Sequence, residues 1–255
     1  MTPLGRVLAE LPLDPPLAAC LLAAPMHGCV AEMLTVAAML SVPSVFTRSK
    51  GGRQGVREEW ALRGVFEEEE TESGDECLRL FGDSTSDHLT LLHIFDAFMR
   101  VREEEKASWC LKLGLNTRSL RQAVSVREQL CSFVERLRLP VPAAMGLSSV
   151  ERGRNLKRCL CHGFFMQTAI YDRDGFYLTA KESHRARIHP SSAVKGGSTW
   201  ILYNELIETS GVYLRTVTQI EGKWLAEIAP FYFDVTTFPE GRMKQELMHL
   251  YQELL

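Results

Sequence analysis

The sequence predicts an α+β protein built in two parts, an all-α domain followed by a small five-stranded β-barrel. Up to Leu139 apolar residues recur at helical spacing. In Arg118–Leu139, Leu120, Ala123, Val124, Leu130, Val134 and Leu137 fall on one stripe. Beyond Gly163 the period changes to two. In Val212–Ile220, Val212, Leu214, Thr216, Thr218 and Ile220 share one face, and Tyr213, Arg215, Val217 and Gln219 the other. Between the two regimes, Pro140 and Pro142 interrupt any helix and mark residues 140–149 as a linker.

Taken in order, residues 1–16 read as the end of a preceding unit, with Asp14-Pro15-Pro16 as a hinge into helix. Leu17–Ala24 and Val30–Leu40 are apolar nearly all round, as interior helices of a domain over 17–139 must be; Pro43 stops the second. Residues 48–85 differ in kind. Glycines lie among basic residues, and Glu67–Glu70 with Glu72, Asp75 and Glu76 form a dense acidic block. Like charges at that density repel, so an exposed, poorly ordered insertion is expected. Ser86 caps the next helix, whose apolar side holds Leu89, Leu92, His93 and Phe95–Phe98. Trp109 and Cys110 begin a short core helix. Arg127 falls inside the apolar stripe of the long helix that follows, where a charge needs a partner; Asp87 and Asp96 are the candidates.

A basic helix, Val150–Cys161, opens the second domain over 150–235. Five strand-like runs follow: Phe164–Tyr171, Phe176–Thr179, His184–His189, Trp200–Glu205 and Val212–Ile220. Asp172–Gly175 is a hairpin turn and Lys195–Ser198 a glycine turn. Five short strands with an end-cap helix indicate a Greek-key barrel of the OB type. Pro239 precedes a last helix, Gly241–Leu255, in the closing segment 236–255.

The net charge is −3, but it is unevenly placed. Residues 48–106 carry 9 basic against 15 acidic side chains, residues 107–138 carry 6 against 2, and residues 150–234 carry 11 against 9. An anionic partner therefore meets the second half. Seven cysteines without regular spacing and without a preceding signal peptide point to reduced thiols in the nucleus or cytoplasm. The apolar stretch from Leu17 to Val42 is broken by Pro25, His27 and Glu32, so no membrane partner is expected.

The chemistry of hydrolysis finds no support. K-G-G-S-T at 195–199 has phosphate-loop residue types in the wrong order, and G-x-x-x-x-G-K-[ST] is absent from the chain. C-x-C-H at 159–162 and the His27/Cys29 pair lack a second pair at zinc-site spacing, so buried cysteines and no metal are expected. No acyl-transfer signature is present. Nucleic-acid binding has independent indications. Arg185, Arg187 and His189 share one face of their strand, and Tyr213 and Arg215 one face of theirs. Together they make a basic surface bearing an aromatic ring, as phosphates and unstacked bases require.

Several motifs together resemble one family. T-P-L-G-R (2–6) with L-P-L-D-P (11–15), and E-M-L-T-V-A-A-M-L-S-V (32–42), resemble the C-terminal accessory region of DEAH-box RNA helicases. So do D-H-L-T-L-L (87–92), N-x-R-S-L-R-Q-A (116–123), G-F-F-M-Q-T-A (163–169), I-H-P-S-S (188–192), W-I-L-Y (200–203) and T-S-x-x-Y-L-R (209–215). The resemblance implies the tail of a winged-helix domain at 1–16, a helical ratchet domain and an OB-fold domain. It implies single-stranded RNA as partner, guided over RecA-like motor domains that this chain lacks, and an activating protein docked on the barrel. ATP and Mg2+ belong to the parent protein; this chain alone is expected to be inactive, and a nuclear location is preferred. By the same analogy Asn116 and Arg118 face the RNA from the ratchet, and Arg185, Arg187, Tyr213 and Arg215 from the barrel. The chain departs from the family pattern at His93 for asparagine, Ser86 for glycine and Gly211 for lysine. The last removes a cation beside the RNA face. The alternative is a helicase-derived scaffold that binds proteins through the acidic block and the barrel.

Overall fold

The computed structural model describes residues 3–47, 72–140, 147–180 and 182–253. The acidic insertion from 48 to 71 and the linker from 141 to 146 lie outside the described residues. The helical part runs α1 (Pro3–Glu10), α2 (Pro15–Ala23), a 3₁₀ turn at Ala24–His27, α3 (Val30–Leu40), α4 (Glu72–Phe81), α5 (Asp87–Arg100), α6 (Lys106–Lys112) and α7 (Thr117–Arg136). Helix α4 is a correction, since irregular chain was expected through residue 85. Cys77 is fully buried and Phe81, one turn on, packs with it against a core of Ile94, Phe98 and Cys110. Burial of that edge outweighs the repulsion of the acidic side chains.

Helices α2 and α3 are interior, as their composition demands: Ala18, Cys20, Leu21, Met33, Val36 and Ala37 have no exposed surface. The stripe of α5 is turned from its expected position. His88 is buried and His93 exposed, because His88 finds polar partners on the barrel while His93 only donates to the Phe81 carbonyl at its surface, 3.2 Å away. Arg127 is corrected as well. It pairs with neither aspartate; its Nε donates to Thr35 Oγ1 at 2.9 Å, and its guanidinium lies 6.0 Å from the centre of the Phe95 ring. The side chain is half-buried, so its outer nitrogens stay within reach of water and no carboxylate is needed.

Helix α8 (Ser149–Phe164) opens the second part with a reciprocal cap between Ser148 and Glu151. Strands β1 (Thr168–Tyr171), β2 (Phe176–Thr179), β3 (Arg185–Ile188), β4 (Trp200–Glu208) and β5 (Val212–Ile220) follow. They close a barrel in the order β1-β2-β3-β5-β4, with β3 and β5 parallel and the other pairs antiparallel. Residues 164–167 finish α8 and a turn instead of extending β1. Helices α9 (Gly222–Ile228) and α10 (Arg242–Glu253) complete the chain.

Strand β5 breaks the alternation read from its sequence. Thr216 sits at φ 53°, a left-handed conformation rare for a β-branched residue. The strand changes face there. Leu214 and Val217 both enter the barrel interior, while Ile220 joins the core shared with the helices. The turn also frees the Val217 amide, which donates to Asp87 Oδ2 at 2.8 Å.

That contact is one of a cluster that welds the helical part to the barrel. Asp87 also accepts from Ser192 Oγ at 2.7 Å and from the Ala193 amide at 2.8 Å. His88 contacts Thr218 Oγ1 at 2.7 Å through Nδ1 and Asn204 Oδ1 at 3.0 Å through Nε2. Gln219 N donates to Thr85 O at 2.8 Å, continuing the β5 edge into the chain before α5. Around this cluster one apolar core draws Leu21, Met33 and Leu130 from the helices. Leu156 and Leu160 join it from α8, and Ile170, Trp200, Leu202 and Ile220 from the barrel.

Candidate nucleic-acid interface

The barrel's outer wall carries two of the expected residues, Arg187 and Tyr213, in one row. Strand β3 lies between β2 and β5, so register sets Phe176 opposite Arg187, Arg187 beside Tyr213, and Tyr213 opposite Ile207. Residues paired in this way project to the same face. Arg187 is exposed, with its guanidinium 4.2 Å from the centre of the Phe176 ring, and it forms no ion pair among the described residues. Arg185 approaches the same ring at 4.0 Å, but its Nε also lies 3.4 Å from Asp172 Oδ2. Arg215 is held 3.3 Å from Glu205 Oε2 across the ladder. Of the three arginines on this surface, two are therefore tethered to carboxylates. Such exposed pairs contribute about 0–1 kcal/mol, so a phosphate competes with them readily.

Tyr213 is half-buried. Its ring meets His189 edge-on at 5.7 Å and lies over Gly211, where a Cβ would stand 3.3 Å from Tyr213 Cε2. The residue that lacks a cation thus also lets the tyrosine fold down onto the backbone. His189 Nδ1 accepts from the Ser191 amide at 3.1 Å, which leaves Nε2 to carry the proton of the neutral ring. Burial lowers the His189 pKa and Arg215 adds to it, against an opposite pull from Asp87. Near neutral pH this histidine is a hydrogen-bond donor rather than a charge.

Asn116 and Arg118 stand apart from this row. Asn116 Oδ1 accepts from the amides of Arg118 at 3.0 Å and Ser119 at 3.2 Å and so caps α7. Arg118 is exposed, without an ion pair among the described residues. Both residues start a helix packed on the all-helical core of Leu120 and Ala123, whereas Arg187 and Tyr213 cover the barrel interior. The expected residues fall into a ratchet group and a barrel group. Sequence reasoning placed His189 on the face of Arg185 and Arg187 but missed Phe176, which follows a hairpin turn and is brought to the arginines only by strand pairing.

The scattered cysteines and histidines are also explained. His27 Nε2 and His162 Nε2 are 3.0 Å apart, two residues the sequence did not pair. Burial lowers the His27 pKa to about 4, helped by His162 and Arg158, so both rings are neutral partners in one hydrogen bond. Burial pushes the Cys20 and Cys77 thiols up to about 12, which makes them inert. Among the described residues, no three histidine, cysteine or acidic side chains converge to hold a metal ion. None of the described helices is long and apolar enough to cross a membrane.

Comparison with known proteins gives this arrangement its context. Residues 14–91 match the helicase associated domain (HA2), ratchet-like, and residues 156–232 match the oligonucleotide/oligosaccharide-binding (OB) fold. The ATP-dependent RNA helicase DHX33 of Drosophila melanogaster is 36% identical over 239 residues, covering 93% of this chain and 31% of that protein. The pre-mRNA-splicing factor ATP-dependent RNA helicase prp22 of Schizosaccharomyces pombe is 34% identical over 235 residues, covering 91% of this chain and 18% of that protein. The chain belongs to the C-terminal region of the DEAH-box RNA helicases. It spans a third or less of the curated relatives it matches. In this DEAH-box region the D-H of D-H-L-T-L-L supplies the buried Asp87–His88 joint, where the ratchet-like helices meet the OB barrel.

Proposed function

We propose that this chain binds single-stranded RNA through the outer wall of its barrel, as the accessory module of an ATP-dependent RNA helicase. In that role it guides the strand over motor domains in the rest of the parent protein. The observation that carries the reading is the row Phe176–Arg187–Tyr213. It sets an arginine with no ion pair among the described residues between two aromatic rings on one face. Guanidinium and ring are the two groups a sequence-tolerant single-strand site combines, one for phosphate and one for base. The names of the relatives, both RNA helicases, support the same substrate class. One of them is a pre-mRNA-splicing factor, which favours the nucleus as location.

ATP and Mg2+ are assigned to the motor part of the parent. This chain has neither a phosphate loop nor, among the described residues, a ligand set for the metal. Asn116 and Arg118 would meet the strand at the ratchet, and Arg185 and Arg215 would release their carboxylates to join Arg187. An activating protein would dock elsewhere on the barrel.

Fluorescence anisotropy with a labelled single-stranded oligoribonucleotide at rising salt tests the reading. Affinity should fall with a log–log slope of about −0.7 for each phosphate held. Arg187→Ala should reduce that slope by roughly one such step, and Tyr213→Ala should cost about tenfold in affinity without changing the slope. Absence of binding even at low salt would overturn RNA binding and leave the protein-docking scaffold.

A further inference from the structure

The glycine turn Lys195–Ser198 borders a cleft through Lys195, Gly196 and Gly197. The loop after β3 and the β1–β2 hairpin enclose an open cleft of about 380 Å³ at the end of the barrel. This is toward the lower end of the roughly 300–1,000 Å³ typical of small-ligand sites. Arg187 and Lys195 both line it, and none of the lining residues is acidic. Both cations are exposed, and neither pairs with a carboxylate among the described residues.

The loop itself is suited to an anion. Two of its carbonyl oxygens, which would repel a phosphate, are engaged: Gly196 O accepts from Gln219 Nε2 at 3.1 Å, and Ser198 O from the Tyr177 hydroxyl at 3.2 Å. Gly196 and Gly197 take φ of 90° and 89°, and a Cβ on Gly197 would meet nothing within 4 Å. The backbone there is open to close approach by a ligand. Tyr171, half-buried and edge-on to Tyr177 at 5.5 Å, supplies a fixed aromatic wall.

We propose that this cleft holds one nucleotide of the bound strand, its phosphate between Arg187 and Lys195 and its base against Tyr171. The inference rests on the RNA reading for the source of that nucleotide. It makes Lys195 a contact that the outer-wall row does not include, and it gives the strand a fixed point at the end of its path.

The test uses the full chain. Lys195→Ala removes an exposed side chain without an ion pair among the described residues, so folding should be intact. Its affinity for a single-stranded oligoribonucleotide should fall roughly fivefold and its salt slope by about 0.7. Uridine 5′-monophosphate should shift the Gly196 and Gly197 amide resonances, and uridine should shift them far less. An unchanged slope in a variant that still binds RNA, or amides that stay silent with the nucleotide, would overturn the cleft. If the wild-type chain binds no RNA but those amides shift, the RNA reading falls and a nucleotide site remains.

Discussion

At the scale of single residues, Asp87 and His88 show how a polar pair is kept inside a protein. Burial raises the Asp87 pKa, and four hydrogen-bond donors from the loop after β3 and from β5 pull it back down. His88 is fully buried, and that burial lowers its pKa to about 4. The neutral ring is stable in the fold, whereas the unfolded chain takes up a proton at the usual pKa of 6.5. The contribution of His88 is therefore fully present above pH 6.5 and is lost as pH falls toward 4. Between pH 7 and pH 5 this amounts to about 2 kcal/mol of unfolding free energy. His27 acts in the same direction, and Asp87, whose pKa is raised, acts in the opposite one. Urea unfolding of wild type and His88→Gln at pH 7 and pH 5 measures it. The variant should be less stable at pH 7 and lose less on acidification; equal losses in both proteins would refute the assignment.

At the scale of elements, helix α8 is set by its closest contact. A Cβ at Gly163 would lie 2.0 Å from the Pro16 carbonyl oxygen and 2.6 Å from Cys20 Sγ, so α8 and α2 can touch only because this residue has no side chain. Gly163→Ala should destabilise the chain by at least about 2 kcal/mol, seen as a lowered urea midpoint. A midpoint equal to wild type would mean the helices separate freely. Elements of this kind were legible in part. The interior helices α2 and α3, the Ser86 cap, the start of α8 and the existence of all five strands follow from periodicity and capping chemistry. Helix α4 did not, because Cys77 and Phe81 are anchored by residues far along the chain. The reversal at Thr216 did not either, since it depends on Asp87 reaching the Val217 amide from another domain. The site was legible as residue types on faces. Which arginines are tethered was not, because Asp172 and Glu205 become partners only through register.

At the scale of the whole molecule, the helices and the barrel are not independent bodies. One apolar core takes residues from α2, α3, α7, α8, β1, β4, β5 and α9. Unfolding should therefore be a single transition. Far-UV circular dichroism and tryptophan fluorescence should give superimposable urea curves. Leu156→Ala, fully buried where the two parts meet, should shift both together by about 3 kcal/mol. Curves that separate would show two units and a weaker joint.

The same arrangement fixes how the molecule carries mechanical load. Helix α8 abuts α2 at Gly163 without clearance, and at its other end Arg154 is bound to Glu221 through two nitrogens, beside β5. A pull on the barrel wall passes through α8 into the helices with little slack, much as a strut passes force between two plates. Bending between bundle and barrel should therefore be resisted at that strut, so that the two parts move together as one lever arm.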